Sequence, residues 1–216
     1  MGIKRGPHRV DRYAADVDAG RVVAGPMVRA ACARHLRDRA KVTDDWGYYF
    51  DAAAADHIIA FFETVLKLPD TLGDDGLPKP FLLTPANTFI VGSLFGWKKA
   101  DGYRRYREGY IEMGKGNAKT PLLAGIGLYG MVMDGERAAE IYSVATGEGQ
   151  AKILWIDARR MVECSELAGE VVVSKNNLAH HPSMSFFRPV SNEKRSKSGP
   201  RPHMGLIDEV HEHADG

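Results

Sequence analysis

Two cysteines in 216 residues leave little room for sulfur chemistry. Cys32 and Cys164 fall in unrelated segments and match no metal or redox spacing, so both are expected to be buried free thiols in a reducing compartment. That excludes a disulfide-stapled fold. An excess of charge of one sign is missing as well: Lys and Arg number 29 against 28 Asp and Glu, a net charge of +1. Such a chain has no global basic field, and any surface for nucleic acid must be local. Long apolar runs are lacking too. The longest, residues 121–133, is too short to span a bilayer and carries several glycines. The N-terminus is polar and basic, without an apolar signal core, so no membrane is expected among the partners. Internal repeats are absent. What remains is 44% hydrophobic and 26% charged, long enough for one domain or one and a half.

Residues 1–27 read as irregular, broken at Gly6-Pro7 and Gly25-Pro26. Val28, Cys32 and Leu36 predict a helix over 28–40. Ala54, Ile58, Phe61, Phe62 and Val65 predict a stronger one over 52–66, with Asp51 as its N-cap. Residues 69–80 read as a Gly/Asp/Pro loop and 85–97 as a third helix. A helical arm, 1–80, and a core, 81–216, incomplete at its C-terminus, are expected. In the core, apolar runs predict strands at 110–113, 139–145, 170–174, 185–190 and 203–208, with helices after residue 120 and over 150–164. Residues 191–202 are polar and basic and read as an exposed loop. Helices between β-branched strands predict an α/β fold with a mostly parallel sheet, binding nucleotide at the strands' C-terminal edge. His180-His181 and His211/His213 lack metal partners and read as loop or cap residues. The run Tyr103-Arg104-Arg105-Tyr106-Arg107 fits either a nucleic-acid contact or a solvated edge.

The chemistry concentrates in two places. In YIEMGKGNAKT, residues 110–120, an apolar run meets a small-residue loop, Gly114-Lys115-Gly116-Asn117-Ala118, then Lys119-Thr120 and an apolar helix. That order suits a phosphate-binding P-loop: loop amides and a helix N-terminus face the phosphates, Lys119 neutralises them, and the Thr120 hydroxyl reaches Mg²⁺. The usual glycines are replaced by Met113 and Ala118. A plain Gly/Asn turn with a solvated Lys119 is the alternative, although a cation at a helix N-terminus is unfavourable without an anion. The second place is His203-Met204-Gly205-Leu206-Ile207-Asp208-Glu209, a short strand ending in two carboxylates. In P-loop motors such a strand lies beside the P-loop strand, its Asp holds the Mg²⁺ shell, and the next Glu polarises the attacking water. A strand followed by an acidic turn is the alternative.

Together these stretches resemble a family. Segments 11–66, 84–133, 139–162 and 185–213 are similar to the N-terminal ATPase domain of the large terminase subunit of tailed double-stranded DNA bacteriophages. RYAADVDAGRVVAGPMVRAACARHLRD, FGWKKADGYRRYREGYIEMGKGNAKT and GPRPHMGLIDEVHEH carry the resemblance. It implies a RecA-like P-loop NTPase of the ASCE class that uses ATP and Mg²⁺ in the host bacterial cytoplasm. Its implied partners are double-stranded DNA, the small terminase subunit and the portal of the prohead, with a homo-oligomeric ring on assembly. By resemblance, Gly114, Gly116, Asn117, Ala118, Lys119 and Thr120 bind the nucleotide, Thr120 and Asp208 the metal, and Glu209 is the catalytic carboxylate. Lys115 lies where family members carry an Arg, proposed as an arginine finger in cis; lysine keeps the charge without the planar fork. Asn87 stands near the family's adenine reader. A coupling motif and a nuclease domain would follow residue 216. Two rivals remain: a DExH-type helicase, from Asp208-Glu209-Val210-His211, and a nucleotide-binding module without turnover.

Overall fold

The computed structural model describes residues 6–41, 46–145, 148–191 and 201–210. In chain order the elements are α1 (Arg9–Asp18), α2 (Pro26–Arg39), β1 (Tyr48–Phe50), α3 (Ala52–Ala60), a π-helical turn (Phe61–Val65), β2 (Lys67–Leu72), β3 (Pro78–Pro80), α4 (Pro85–Gly96), β4 (Trp97–Lys99), α5 (Lys119–Val132), β5 (Glu140–Ala145), α6 (Glu148–Glu163), a 3-10 turn (Glu166–Gly169), β6 (Val171–Ser174), β7 (Asn177–His180), β8 (Ser185–Ser191) and β9 (Pro202–Ile207). The chain packs as two units, one from residues 1–60 and 82–111, the other from 61–81 and 112–216. The breaks in packing therefore do not fall at 80/81. Helix α4, expected with the core, packs on α1 and α3.

The first unit is helical, with one two-stranded ribbon in which β1 and β4 pair antiparallel. Residues 9–18 are helix, not irregular chain. Val10, Tyr13, Ala14 and Val17 recur at helical spacing and are buried, and the His8 ring accepts from the Val10 N–H. Asp51 caps α3 as expected, accepting from the Ala54 N–H at 3.0 Å. Thr84 caps α4 through the Asn87 N–H, with Pro85 in its first turn. At Gly92 the helices close tightly: a Cβ there would lie 2.4 Å from Val10 Cγ2.

A polar lattice crosses this unit. The Trp97 indole donates to His35 Nδ1 at 3.0 Å, leaving the other ring nitrogen, Nε2, to donate to Asp11 Oδ1 at 2.7 Å. Arg39 adds two hydrogen bonds to Asp11. Burial would raise the Asp11 pKa, but the bonds from His35 and Arg39 overcome it and hold the carboxyl well below its usual range. Arg105 Nη2 lies 2.9 Å from Asp38 Oδ2, and its guanidinium sits 4.6 Å from the Tyr48 ring and 5.1 Å from those of Trp46 and Trp97. Arg105 is thus an internal clamp, neither a solvated edge nor a free DNA contact.

The second unit holds a five-stranded sheet in the order β6-β7-β8-β5-β9. It is α/β, but mixed rather than mostly parallel. β8, β5 and β9 run parallel, while β7 pairs antiparallel with β6 and β8. The cause is β7, a strand the pattern does not announce. Lys175-Asn176 turns β6 back into it, and a second turn with Met184 at φ +59° leads into β8. Residues 110–113, expected as a strand, are not one: residues 106–114 carry no assigned strand, Tyr110 is exposed, and β9 lies beside β5 instead. Residues 67–80 form the β2–β3 hairpin rather than a plain loop.

Helix α5 packs on β5, β8 and β9, and α6 packs on β5 and β8. Gly127 and Gly130 let α5 approach the sheet closely. A Cβ at Gly127 would lie 2.6 Å from Leu206 Cδ1 and 2.7 Å from Phe187 Cε1, and one at Gly130 would lie 2.6 Å from Met204 Sδ. Gly125 does the same for Phe62 of the π-helical turn. The Trp155 indole on α6 donates to the Phe187 carbonyl at 3.2 Å. Arg160 ties α6 to β2 through a two-pronged pair with Asp70. Both cysteines are free thiols; Cys32 is buried as expected, but Cys164 is only half-buried.

Candidate functional site

Helix α5 begins at Lys119, and its N-terminus is where an anion gains most from backbone donors. The loop before it is shaped by two left-handed residues, Gly116 at φ +85° and Ala118 at φ +56°. Glycine takes that conformation without strain; alanine carries a Cβ into it, at a cost of about 1–2 kcal/mol. The Asn117 side chain closes the loop, its Nδ2 donating to the Gly114 carbonyl at 3.0 Å. The loop encloses an open cavity of about 470 Å³, lined by Gly114 through Pro121 and by Glu209.

The carboxylates arrive from the end of β9. Thr120 Oγ1 donates to Asp208 Oδ2 at 2.6 Å, and Lys119 Nζ lies 3.3 Å from Glu209 Oε1. These pairs join residues 88 and 90 positions apart in sequence. Glu209 itself stands at φ +49°, so the backbone turns sharply after β9. A hydroxyl and a carboxylate in contact at the start of a helix are a donor set of hard oxygens, which suits Mg²⁺. Lys119 is the cation that phosphate oxygens would meet.

The fold thus brings together Gly114, Lys115, Gly116, Asn117, Ala118, Lys119, Thr120, Asp208 and Glu209. Lys115 lines the cavity and is exposed. Asn87 belongs to the other unit, buried in the first turn of α4. His211 and His213 lie outside the described residues. One residue was not foreseen: Asp157 on α6. Burial first, and then the charges of Asp70 and Asp208, raise its pKa, against the pull of Arg160. No local motif marks it, because it reaches this neighbourhood only through the packing of α6 on the sheet.

Known proteins bear on this geometry. No curated protein matches the chain. Among solved structures, the crystal structure of the HK97 bacteriophage large terminase superposes with a TM-score of 0.59 at 23% sequence identity, over 73% of this chain and 31% of that one. That likeness shows the shared fold, and the chain spans under a third of that relative's length. A family model, the terminase large subunit ATPase domain, matches residues 85–216, which take in α4, the loop at 114–120 and the carboxylates after β9. On that match, over more than half of its length, the chain belongs to the terminase large subunit ATPase domain family.

Proposed function

We propose that the chain is the ATPase part of a phage DNA-packaging motor and that the cavity at the start of α5 binds and hydrolyses Mg·ATP. The observation that carries the reading is the double convergence of Thr120 on Asp208 and Lys119 on Glu209. Thr120 and Asp208 would hold Mg²⁺, which would supply charge neutralisation at the terminal phosphates. The amides of the 114–118 loop and the first turn of α5 receive phosphate oxygens. Lys119 and Glu209 are both partly exposed, so their pair is worth no more than about 1 kcal/mol and yields readily to a phosphate. With Lys119 turned to the nucleotide, Glu209 would orient water and accept its proton. Lys115, which lines the cavity and is exposed, is proposed to stand in the place of the family's arginine finger and to clamp the transition-state charge without the planar fork. Asn87 is proposed for adenine on the resemblance alone.

The ATPase core is proposed to work with the helical arm in moving double-stranded DNA. The small terminase subunit and the prohead portal are its proposed partners, in a homo-oligomeric ring in the host cytoplasm.

Binding and turnover are separable. Lys119→Ala is expected to abolish binding of a fluorescent ATP analogue. Glu209→Gln is expected to keep that binding and slow phosphate release about 10²–10⁴-fold, the range of general-base terms. Unchanged affinity in the first variant, or a rate within about twofold of the parent in the second, well short of that range, would overturn the reading.

A further inference from the structure

The first unit carries a second cavity, of about 400 Å³, beside the β1–β4 ribbon. Its walls are aromatic: Trp46, Tyr48, Tyr49, Phe50 and Trp97 line it. Several rings are already fixed by one another. Trp46 meets Tyr48 and Trp97 edge to face, and Phe50 meets Trp97 in the same way. Tyr49, 47% exposed, offers a ring to solvent at the rim.

The rim is cationic. Arg39 and Lys41 line the cavity, with Lys41 Nζ 4.8 Å from the Trp46 ring. Among the described residues, Asp38 and Asp11 hold the neighbouring cations in ion pairs, and they are shared. Asp38 faces Arg37, Lys41 and Arg105, and Asp11 faces Arg39 and His35. Among the described residues, the charged side chains that line the cavity are Arg39 and Lys41 against Asp38, a balance of one positive charge. Lys41 lines the cavity and is loosely held, 3.7 Å from Asp38 with its side chain 44% exposed.

We propose that this cavity seats one unstacked base of single-stranded nucleic acid, with the attached phosphate at Lys41. Flat rings beside a cation are the two elements such strands need, because every base has a π-face and every link a charge. The volume suits one nucleoside monophosphate unit. A duplex keeps its bases stacked inside and could offer this concavity only its backbone. Free mononucleotide shares the chemistry, and its binding separates from that of a strand by affinity. The site is distinct from the loop cavity at α5 and requires no ATP.

The test uses the 216-residue chain without ATP and a fluorescein-labelled oligo(dT) eight-mer, read by anisotropy. Unlabelled eight-mer, a duplex of the same length and dTMP serve as competitors. The single strand is expected to compete best. Tyr49→Ala is expected to weaken it about tenfold, within the range for a lost stacking platform, while Tyr49→Phe keeps the parent affinity. Lys41→Ala should flatten the dependence of log affinity on log salt by about 0.7, one phosphate's worth on a single strand. A thermal melt checks each variant; if Tyr49→Ala is unfolded, Lys41→Ala decides. Absent binding of the eight-mer, a duplex that competes equally well, dTMP competing as well as the strand, or parent-like binding by the folded variants would each overturn the proposal.

Discussion

Gly127→Ala puts a single methyl group where the packing of α5 on the sheet has no room. In an open helix that change is favourable, since alanine exceeds glycine in helix propensity by about 1 kcal/mol. Here the new Cβ meets Leu206 Cδ1 at 2.6 Å and Phe187 Cε1 at 2.7 Å, about 1 Å inside ordinary carbon contact. Phe187 is fully buried and Leu206 nearly so, so neither has free space to swing into. Overpacking of this kind costs about 1–3 kcal/mol. After the propensity gain, the protein should lose up to about 2 kcal/mol, or roughly 4–8 °C in Tm at 2–4 °C per kcal/mol. Gly149, in the first turn of α6, has nothing within 4 Å of its would-be Cβ. There the same substitution should stabilise by up to about 1 kcal/mol. Urea unfolding of both variants beside the parent measures the pair of signs. Leu206 lies two residues before Asp208, so phosphate release by Gly127→Ala should fall as well. If Gly127→Ala were as stable as Gly149→Ala, the close approach of α5 to β9 and β8 would be refuted.

Other perturbations have equally definite signs. Ala118→Gly removes a left-handed alanine, and after the added freedom of the unfolded chain it should stabilise by up to about 1 kcal/mol in urea; a loss would show that the loop is not held in that conformation. The depressed Asp11 carboxyl contributes stability that is full above its unfolded value of about 3.9 and is lost as pH falls from there through the folded value. Melting the parent and Asp11→Asn across acid pH should therefore show curves that converge below about pH 4, and a constant gap would remove Asp11 from the acid transition. Burial, aided by Asp18, pushes the Cys32 thiol up to about 11, so a thiol reagent at pH 8 should label it slowly until the protein unfolds; fast labelling would contradict its burial.

The sequence carried the local part of the site and little of its support. Lys119, Thr120, Asp208 and Glu209, which the fold brings into contact, stand out in the sequence as candidates by residue type and order. The left-handed turn at Ala118 is not, since alanine gives no sign of it. Helix α1 was within reach: Val10, Tyr13, Ala14 and Val17 have the right spacing, diluted by Arg9, Asp11, Arg12, Asp16 and Asp18. Strand β7 was not, because Asn177–His180 has no β-branched residue and owes its conformation to pairing, Leu178 with Phe187 and Ala179 with Phe186. The same holds for Arg105. Its basic neighbours in sequence suggest a surface, whereas Asp38, 67 positions earlier, and a ring of aromatics hold it half-buried against the unit. Nonlocal partners decide such residues, and periodicity does not contain them.

The three tryptophans divide between the two units: Trp46 and Trp97 in the first, Trp155 in the second. Each unit therefore carries its own fluorophore. Trp155→Phe would leave emission that reports on the aromatic and charged surroundings of Arg105 and His35, whereas replacing Trp46 and Trp97 would leave a lone indole bonded to the Phe187 carbonyl in the sheet. Melting the two singly lit proteins side by side would reveal whether the units unfold as one cooperative block or in sequence, with no extrinsic label.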